Sequence, residues 1–271
     1  MSEIRRPPFI FHASAMAFSG HVTRPIEHVI EVQAGTSLPT TGGHGSARVE
    51  NFRFNQMVSF KAGYSQVSGS EKIENGKPVA YTTLSSAVLE GLNIQDVVTA
   101  DRIVARLSSS FVPKDGDDNE EYESRILTIG SRFENLRVAG CKVDVELHDE
   151  LDLGTFEQAR NHYKNNPVFK KMVDDPFSRG KKTSRKVATH GSIHCSLVKK
   201  FEPEECPGIF TCHGYVLEVE EFGKIYLAEV LVTHRCKTLT MLRVELGSPS
   251  GGGFTGPQGS SNGLPPGGGG K

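Results

Sequence analysis

The sequence predicts a mainly β protein folded as an antiparallel meander, with a sandwich and a barrel both left open. Apolar residues alternate with polar ones at a period of two, which is typical of strands with one buried face. A similar segment recurs at offsets of 40 and 44 residues. Each copy reads small, any, apolar, Glu, Asn or Gly, apolar, any, apolar, and the copies are Ala47–Phe54, Ala87–Ile94 and Ser131–Val138. The pattern predicts about three repeat units of about 40 residues each.

The Asn or Gly after the glutamate of each copy predicts a bend in a long strand. These residue types tolerate the positive φ angles that regular strands lack. A bulge or bend there resets the inward and outward faces between Val49 and Phe52. Glu50, Glu90 and Glu134 then occupy equivalent places. Side by side, their carboxylates could bind a cation or could simply keep the outside of the bend hydrated.

Turn residues join the units as hairpins. Asn75-Gly76 is a dipeptide favoured in two-residue hairpin turns, and Lys114–Asn119 is rich in Asp, Asn and Gly. Consecutive strands joined in this way favour an antiparallel meander. A parallel β-solenoid, the alternative, requires turns without reversal and a tighter repeat.

After residue 151 the pattern changes. Residues 155–174 predict a small helical insertion, because Thr155 and Gln158 form a capping box and Pro167 can start a second helix. A basic loop follows at 175–186, and strands then resume until Leu246. We therefore predict one β-rich domain over 1–246. Residues 247–271 are Gly, Ser and Pro with almost nothing apolar, and predict a disordered tail.

Composition excludes several classes of function. The formal net charge is −1, so the diffuse basic field that attracts nucleic acid is missing. No run of about 20 apolar residues predicts a transmembrane segment. The five cysteines predict no disulfide framework. These observations favour a cytoplasmic protein by default, with unconventional secretion or surface association as the alternative.

Histidines and cysteines in the C-terminal third are the best metal-ligand candidates. Zinc requires three or four such side chains that converge, and strands can supply them from alternate positions. The candidates are His190, His194, Cys212, His234 and Cys236. No Cys-x-x-Cys pair or helical His-Glu-x-x-His is present. The alternative interpretation is that the thiols are small buried apolar groups and the imidazoles are exposed.

No motif in the sequence predicts a reaction. Ser46 and Ser192 each lie near a histidine, but the Gly-x-Ser-x-Gly elbow of serine hydrolases is absent. The sequence therefore favours a protein without enzymatic activity and needs no cofactor to explain it.

The chain resembles bacterial choice-of-anchor P proteins, an uncharacterised group of β-repeat proteins. The matching pieces are Ala13–Ala17, Ser37-Leu38-Pro39, Gly130–Gly140 and Thr240–Leu246. The resemblance implies a β-rich, surface-associated or structural protein of unknown activity. The helical insertion and the lack of a clear signal peptide depart from that pattern.

Two functions follow as expectations. The first is a non-enzymatic structural or interaction protein that assembles with itself or binds a surface or another protein. The alternative is a lipocalin-like or cyclase/isomerase-like barrel with an internal apolar pocket. In such a barrel, Tyr64, Tyr215 and Tyr226 are candidates for the polar groups that meet the ligand.

Overall fold

The structure, a computed structural model, confirms the predicted fold class. It describes residues 9–113, 125–148, 153–174, 192–203, 209–233 and 236–261. These residues form two antiparallel β-sheets and two helices. Neither helix in this part of the chain has the length and apolarity needed to cross a bilayer.

The elements are numbered in chain order. The first strands are β1 (Ala13–Met16), β2 (Phe18–Arg24), β3 (His28–Gln33), β4 (Thr36–Ser37), β5 (Gly43–Phe54), β6 (Val58–Glu74), β7 (Lys77–Ile94), β8 (Val98–Phe111), β9 (Arg125–Leu127), β10 (Arg132–Glu134), β11 (Arg137–Val138) and β12 (Cys141–Leu147). The helices are α1 (Phe156–Asn165) and α2 (Pro167–Asp174). The later strands are β13 (Ser192–Ser196), β14 (Val198–Pro203), β15 (Thr211–His213), β16 (Val216–Val219), β17 (Gly223–Thr233), β18 (Lys237–Leu246), β19 (Gly251–Thr255) and β20 (Gln258–Ser261).

Sheet 1 is a meander of long hairpins. Its strand order is β14-β12-β11-β8-β7-β6-β5, and β9 and β10 also pair with β8. The hairpin predicted at Asn75-Gly76 is confirmed: the two residues have φ angles of 51° and 77°, and Glu74 pairs with Lys77. The turn predicted at Lys114–Asn119 and the basic loop at 175–186 lie outside the described residues.

A crease crosses sheet 1 where the sequence predicted a bend. At the predicted bend, Asn51, Gly91 and Asn135 have left-handed backbone, with φ angles of 53°, 64° and 51°. On β7, Leu89 and Leu92 are both buried, with two more exposed residues between them. On β8 the corresponding buried pair is Ala100 and Ile103. The two strands keep their register across the crease. The sheet therefore bends without slipping, and both halves keep an apolar inner face.

Sheet 2 joins the first and last strands that the structure describes. Its main path is β15-β16-β17-β18-β19-β2-β3, and β20 pairs with both β18 and β1. Within this sheet, β1–β4 reach β18 through β19 and β20. The prediction of a disordered tail from Gly247, and of a domain boundary at 246, is therefore wrong for residues 251–261. The remainder of the predicted tail, 262–271, lies outside the described residues.

Small side chains allow the C-terminal strands to pack where composition predicted no core. A Cβ atom added to Gly259 would lie 2.7 Å from the Ser85 hydroxyl oxygen, so the backbone approaches sheet 1 closely. The buried hydroxyls of Thr83, Ser109 and Ser261 bond to one another; the oxygens of Thr83 and Ser109 are 2.5 Å apart. The composition rule counts apolar area, whereas close backbone approach and mutually satisfied hydroxyls stabilise this region.

The helical insertion predicted at 155–174 is confirmed. The Thr155 hydroxyl accepts a hydrogen bond from the Gln158 backbone N–H, and the Gln158 side chain accepts one from the Thr155 N–H. Pro167 is the first residue of α2. Phe156 and Phe169 are buried in the same apolar cluster as Ile193 of β13. The helices therefore extend the core over the end of sheet 2 that contains β13 and β17.

The two sheets pack face to face as an open sandwich. β1 and β20 of sheet 2 lie against β6, β7 and β8 of sheet 1. A barrel requires the first and last strands of a sheet to pair. In the described part of the chain, sheet 1 ends at β5 and β14 and neither sheet closes on itself. The alternative of a lipocalin-like or cyclase/isomerase-like barrel is therefore wrong, because the crease bends the strands without bringing the sheet edges together.

Candidate interaction face

The free edge of sheet 2 carries a patch of exposed apolar side chains. Among the described residues, β3 pairs with β2 on one side and with no strand on the other. Val29 is 63% exposed and Val32 is 55% exposed, and Ile26 in the preceding turn is 66% exposed. The pairing of β2 with β3 slips by one residue opposite Ser19, so Val29 and Val32 both border the same outer groove. We call Ile26, Val29 and Val32 the edge patch.

Two grooves adjoin the edge patch on the outer face of sheet 2. They have volumes of about 490 Å³ and 410 Å³ and share Val32. Between β3 and β18 the larger groove is lined by small residues of β2 and β19, including Ser19, Gly253 and Thr255. The small side chains at these positions leave room for the groove between β3 and β18. The opposite side of this groove is formed by Arg243 and Glu245 on β18.

Arg243 belongs to a polar cluster that is partly buried in the outer face. Its Nε lies 2.6 Å from Oε2 of Glu229, and its Nη2 lies 2.9 Å from Oε1. Glu229 is only 5% exposed, so this two-point ion pair is largely removed from water. Arg243 also donates to Glu245, and its guanidinium lies 3.6 Å from the centre of the Tyr226 ring.

Two further side chains approach Glu229 from neighbouring strands. His194 Nε2 on β13 lies 3.4 Å from Glu229 Oε1. Tyr215 is 4% exposed, and its hydroxyl has no hydrogen-bond partner among the described residues. Burial, reinforced by the Glu229 carboxylate, raises the pKa of Tyr215. We call Glu229, Arg243, Glu245, Tyr226, His194 and Tyr215 the Arg243 cluster.

Arg243 is paired with two carboxylates, those of Glu229 and Glu245. Burial lowers the pKa of Arg243, but its hydrogen bonds to Glu229 and Glu245 outweigh this and raise it overall. Burial and a 2.8 Å hydrogen bond to Glu245 raise the pKa of Tyr226 to about 12. At neutral pH the arginine is charged and both tyrosines are protonated. The cluster therefore forms one wall of the groove with its arginine held by two carboxylates.

The structure separates the zinc-ligand candidates that it describes. His194 contacts Glu229, whereas Cys212 is exposed on β15. Cys236 lies between β17 and β18. Its backbone N–H donates to the Thr233 hydroxyl at 2.9 Å, and its sulfur lies 3.6 Å from Thr238 Oγ1. Within the described residues, no three potential ligands converge. The other two candidates, His190 and His234, lie outside these residues, so the zinc site stays a prediction.

The cysteines differ in state. Cys195 is fully buried, and burial raises the pKa of its thiol to about 12; burial also raises the pKa of the Cys212 thiol. Such thiols are poor nucleophiles because little thiolate exists at neutral pH. Cys141 at the start of β12 is disulfide-bonded, whereas Cys195, Cys212 and Cys236 are free. The chain therefore contains one disulfide that the cysteine count did not predict.

The three repeat glutamates lie in one cross-strand row on the outer face of sheet 1, but arginines neutralise them. Glu50 is 2.7 Å from Arg48 Nη2, and Glu134 is 2.7 Å from Arg132 Nε. Glu90 is 3.5 Å from Arg102 Nε and accepts a hydrogen bond from the Tyr64 hydroxyl. The arrangement favours a hydrated bend over a cation site.

The candidate polar groups of a barrel interior lie apart. Tyr64 bonds Glu90 on the outer face of sheet 1, while Tyr226 and Tyr215 belong to the Arg243 cluster of sheet 2. Sequence reasoning missed Glu229 and Arg243 as a pair. A signal was present, because Glu229 interrupts the apolar run from Tyr226 to Val232. A charge inside an apolar strand pattern requires a buried partner.

A comparison with known protein families finds one match. A family model described as Domain of unknown function (DUF8256) matches residues 9–186 and 177–233. No curated protein and no solved structure matches the chain. The matched residues include β3 and all of β17, but not β18, β19 or β20.

Proposed function

We propose that this chain, which belongs to the family described as Domain of unknown function (DUF8256), is a non-enzymatic structural protein that self-associates through the edge patch. The observation that carries the proposal is the free strand β3 with Val29 and Val32 exposed on the same groove. An unprotected apolar edge strand is a template for pairing with another chain.

The pattern of β3 is compatible with pairing to itself. An antiparallel contact of two copies around a two-fold axis brings the edge patch of one copy beside the edge patch of the other. Most homo-oligomers use such self-complementary contacts. A second copy therefore suits this edge better than an unrelated partner.

The ion pairs of the Arg243 cluster support a role for this groove in association. Its arginine is held by two carboxylates, and its tyrosines have raised pKa values. The cluster is suited to hold the groove wall in place while another chain packs against it.

Placement at a cell surface also belongs to this proposal. It follows the resemblance to choice-of-anchor P proteins, and the disulfide at Cys141 supports it. Disulfides persist in oxidising compartments and are rare in the cytosol. Fractionation of cells that express the full chain, combined with non-reducing electrophoresis, tests this part separately.

Sedimentation equilibrium of the full chain over a range of concentrations tests self-association. We expect a reversible dimer, and we expect Val32→Lys to raise the dissociation constant at least about tenfold, because an edge lysine opposes strand pairing. Ile73→Lys is the matched control, since Ile73 is a 57% exposed apolar strand residue of sheet 1. A wild-type monomer at every concentration, or equal effects of the two lysines, contradicts the proposal.

A further inference from the structure

A pocket of different chemistry from the two grooves lies at one end of sheet 1. It has a volume of about 640 Å³ and lies where the β5–β6 turn meets the β7–β8 turn. The backbone N–H of Gln95 donates to the Met57 carbonyl at 3.0 Å, so one turn is fixed against the other. The β11–β12 turn continues this contact, because Ala139 N–H donates to the Val97 carbonyl at 2.7 Å. The two turns that line the pocket are therefore bonded to each other, and the third turn bonds the second from outside the lining.

Side chains that both donate and accept hydrogen bonds dominate this pocket. Gln56 comes from the first turn, Asn93 from the end of β7 and Gln95 from the second turn. Each carboxamide offers two donors and a carbonyl acceptor. The charged groups in the lining are Arg53 and Asp96, one of each sign, so the lining has no net charge. A neutral lining of this kind favours a neutral ligand over an ion.

Several of these groups are held in place yet retain free hydrogen-bonding capacity. Asn93 Nδ2 donates to Asp96 Oδ1 at 2.6 Å, and the Asp96 N–H donates to Asn93 Oδ1 at 2.8 Å. Gln95 Nε2 lies 3.3 Å from the Ser250 hydroxyl. Among the described residues, the second carboxylate oxygen of Asp96 and the amide of Gln56 have no hydrogen bond. These groups can face a ligand without first breaking a bond within the protein.

The backbone of the second turn is strained. Gln95 and Asp96 have φ angles of 52° and 56°. Glutamine rarely adopts this conformation, which the sequence could have avoided with glycine. Strained residues concentrate at binding sites, where the conformation places a side chain. Gln95 and Asp96, the two residues with this backbone conformation, both line the pocket.

We propose that this pocket binds a neutral polyhydroxylated ligand, a short saccharide. A sugar hydroxyl needs a donor and an acceptor together, which the carboxamides and the Asp96 carboxylate with Arg53 provide. The half-buried Met57 supplies an apolar surface for the C–H face of a sugar ring. The volume is within the range of small-molecule sites, about 300–1,000 Å³. The site is separate from the edge patch and does not depend on self-association.

Nuclear magnetic resonance titration of the full chain tests this proposal. The probes are glucose, galactose, mannose, N-acetylglucosamine, lactose and cellobiose, with inorganic phosphate as the anionic comparison. We expect at least one sugar to shift the backbone amides of residues 53–59 and 93–96. No shift with any sugar, or larger shifts with phosphate than with every sugar, overturns the proposal.

Variants locate the binding to these side chains. We expect Gln56→Ala and Asp96→Asn each to weaken sugar binding about threefold to tenfold, the effect of one hydrogen bond. Gln66→Ala is the matched control, because Gln66 is also an exposed glutamine but lies on the outer face of β6. Thermal unfolding checks that each variant is folded. Equal affinities for Gln56→Ala, Asp96→Asn and Gln66→Ala overturn the assignment to this pocket.

Discussion

Sheet 1 and sheet 2 differ in how far apart their paired strands lie in the sequence. In sheet 1, β5 to β8 follow one another along the chain, and each pairs with the next through a short turn. In sheet 2, β1 pairs with β20, so that Ser14 and Ser260, 246 residues apart, share a hydrogen bond of 2.6 Å. Hairpin pairing can be predicted from adjacent sequence, whereas the pairing of β1 with β20 cannot.

The two sheets also fill the core differently. The inner face of sheet 1 carries large side chains such as Leu89, Ile103 and Leu107. The strands opposite them in sheet 2 contribute Ala13, Ala15 and the glycines of the C-terminal segment. The large side chains of sheet 1 fill the space that the small residues of sheet 2 leave, so the two sheets pack closely. The cost is that sheet 2 tolerates no added volume at its centre.

The largest effect expected from this difference comes from a single methyl group. A Cβ at Gly252 would lie 2.0 Å from the backbone oxygen of His21, and the φ angle there is 118°. We expect Gly252→Ala to lower the free energy of unfolding by about 4 kcal/mol, because backbone atoms of β2 and β19 would have to separate. Urea denaturation measures this.

Gly43 at the edge of sheet 1 is the matched control. Its φ angle is 100°, but an added Cβ meets nothing within 4 Å. We expect Gly43→Ala to cost about 1–2 kcal/mol from backbone strain alone. Similar losses for the two variants would mean that the C-terminal strands are not packed as described.

The outer faces of the two sheets provide the second comparison. We expect Arg243→Ala to destabilise the protein by about 3 kcal/mol, because it leaves the buried Glu229 carboxylate without its arginine. Arg132→Ala breaks an exposed pair with Glu134 on sheet 1 and should cost less than about 1 kcal/mol. Adding Glu229→Leu to an Arg243→Met variant should recover much of the stability. If the double variant stays as unstable as Arg243→Ala, an unpaired carboxylate is not the cause.

The hydroxyl contacts between the sheets should give a smaller effect. Thr83→Val keeps the shape of the side chain but removes a hydroxyl that bonds both Ser109 and Ser261. We expect a loss of about 1–2 kcal/mol, since buried hydroxyls are left short of a partner. Thr82→Val on the exposed side of β7 should be nearly neutral. Thermal unfolding of the two variants side by side distinguishes a structural network from incidental contact.

The smallest effect concerns the pH dependence of Tyr226. Its pKa is raised from 10 to about 12 by burial and by its bond to Glu245. The folded state therefore holds this proton more tightly than the unfolded state, and the stability it contributes is present below pH 10 and is lost as pH rises toward 12. The ultraviolet difference spectrum between wild type and Tyr226→Phe should show phenolate only near the upper pH. Ionisation of Tyr226 near pH 10 would contradict its burial and its hydrogen bond to Glu245.

The sequence patterns predicted sheet 1 well because their signals are local. Asn75-Gly76 predicted a turn, and the Asn or Gly after each repeat glutamate predicted a bend that the φ angles at Asn51, Gly91 and Asn135 confirm. The capping box at Thr155 predicted the start of α1. In each case the residue type favours the backbone conformation at its own position.

The centre of sheet 2 could not be predicted in the same way. Residues 251–261 contain Phe254 as their one large apolar side chain, and it packs against Phe18 with ring centres 5.7 Å apart. Composition alone makes such a segment look disordered, because its stability comes from pairing with β1, β2 and β18. The Arg243 cluster was missed for a related reason: Glu229 and Arg243 lie 14 residues apart and meet only when β17 pairs with β18.

The central claim has two parts. β19 and β20 are stable strands of sheet 2, and the free edge of that sheet, β3, pairs with a second copy. Hydrogen exchange with mass spectrometry on the full chain, at concentrations below and above dimer formation, tests it most directly. We predict slow exchange in residues 251–261 at every concentration, and exchange in residues 28–33 that slows as the dimer forms. Fast exchange in residues 251–261 throughout, or exchange in residues 28–33 that does not change with concentration, would contradict the account.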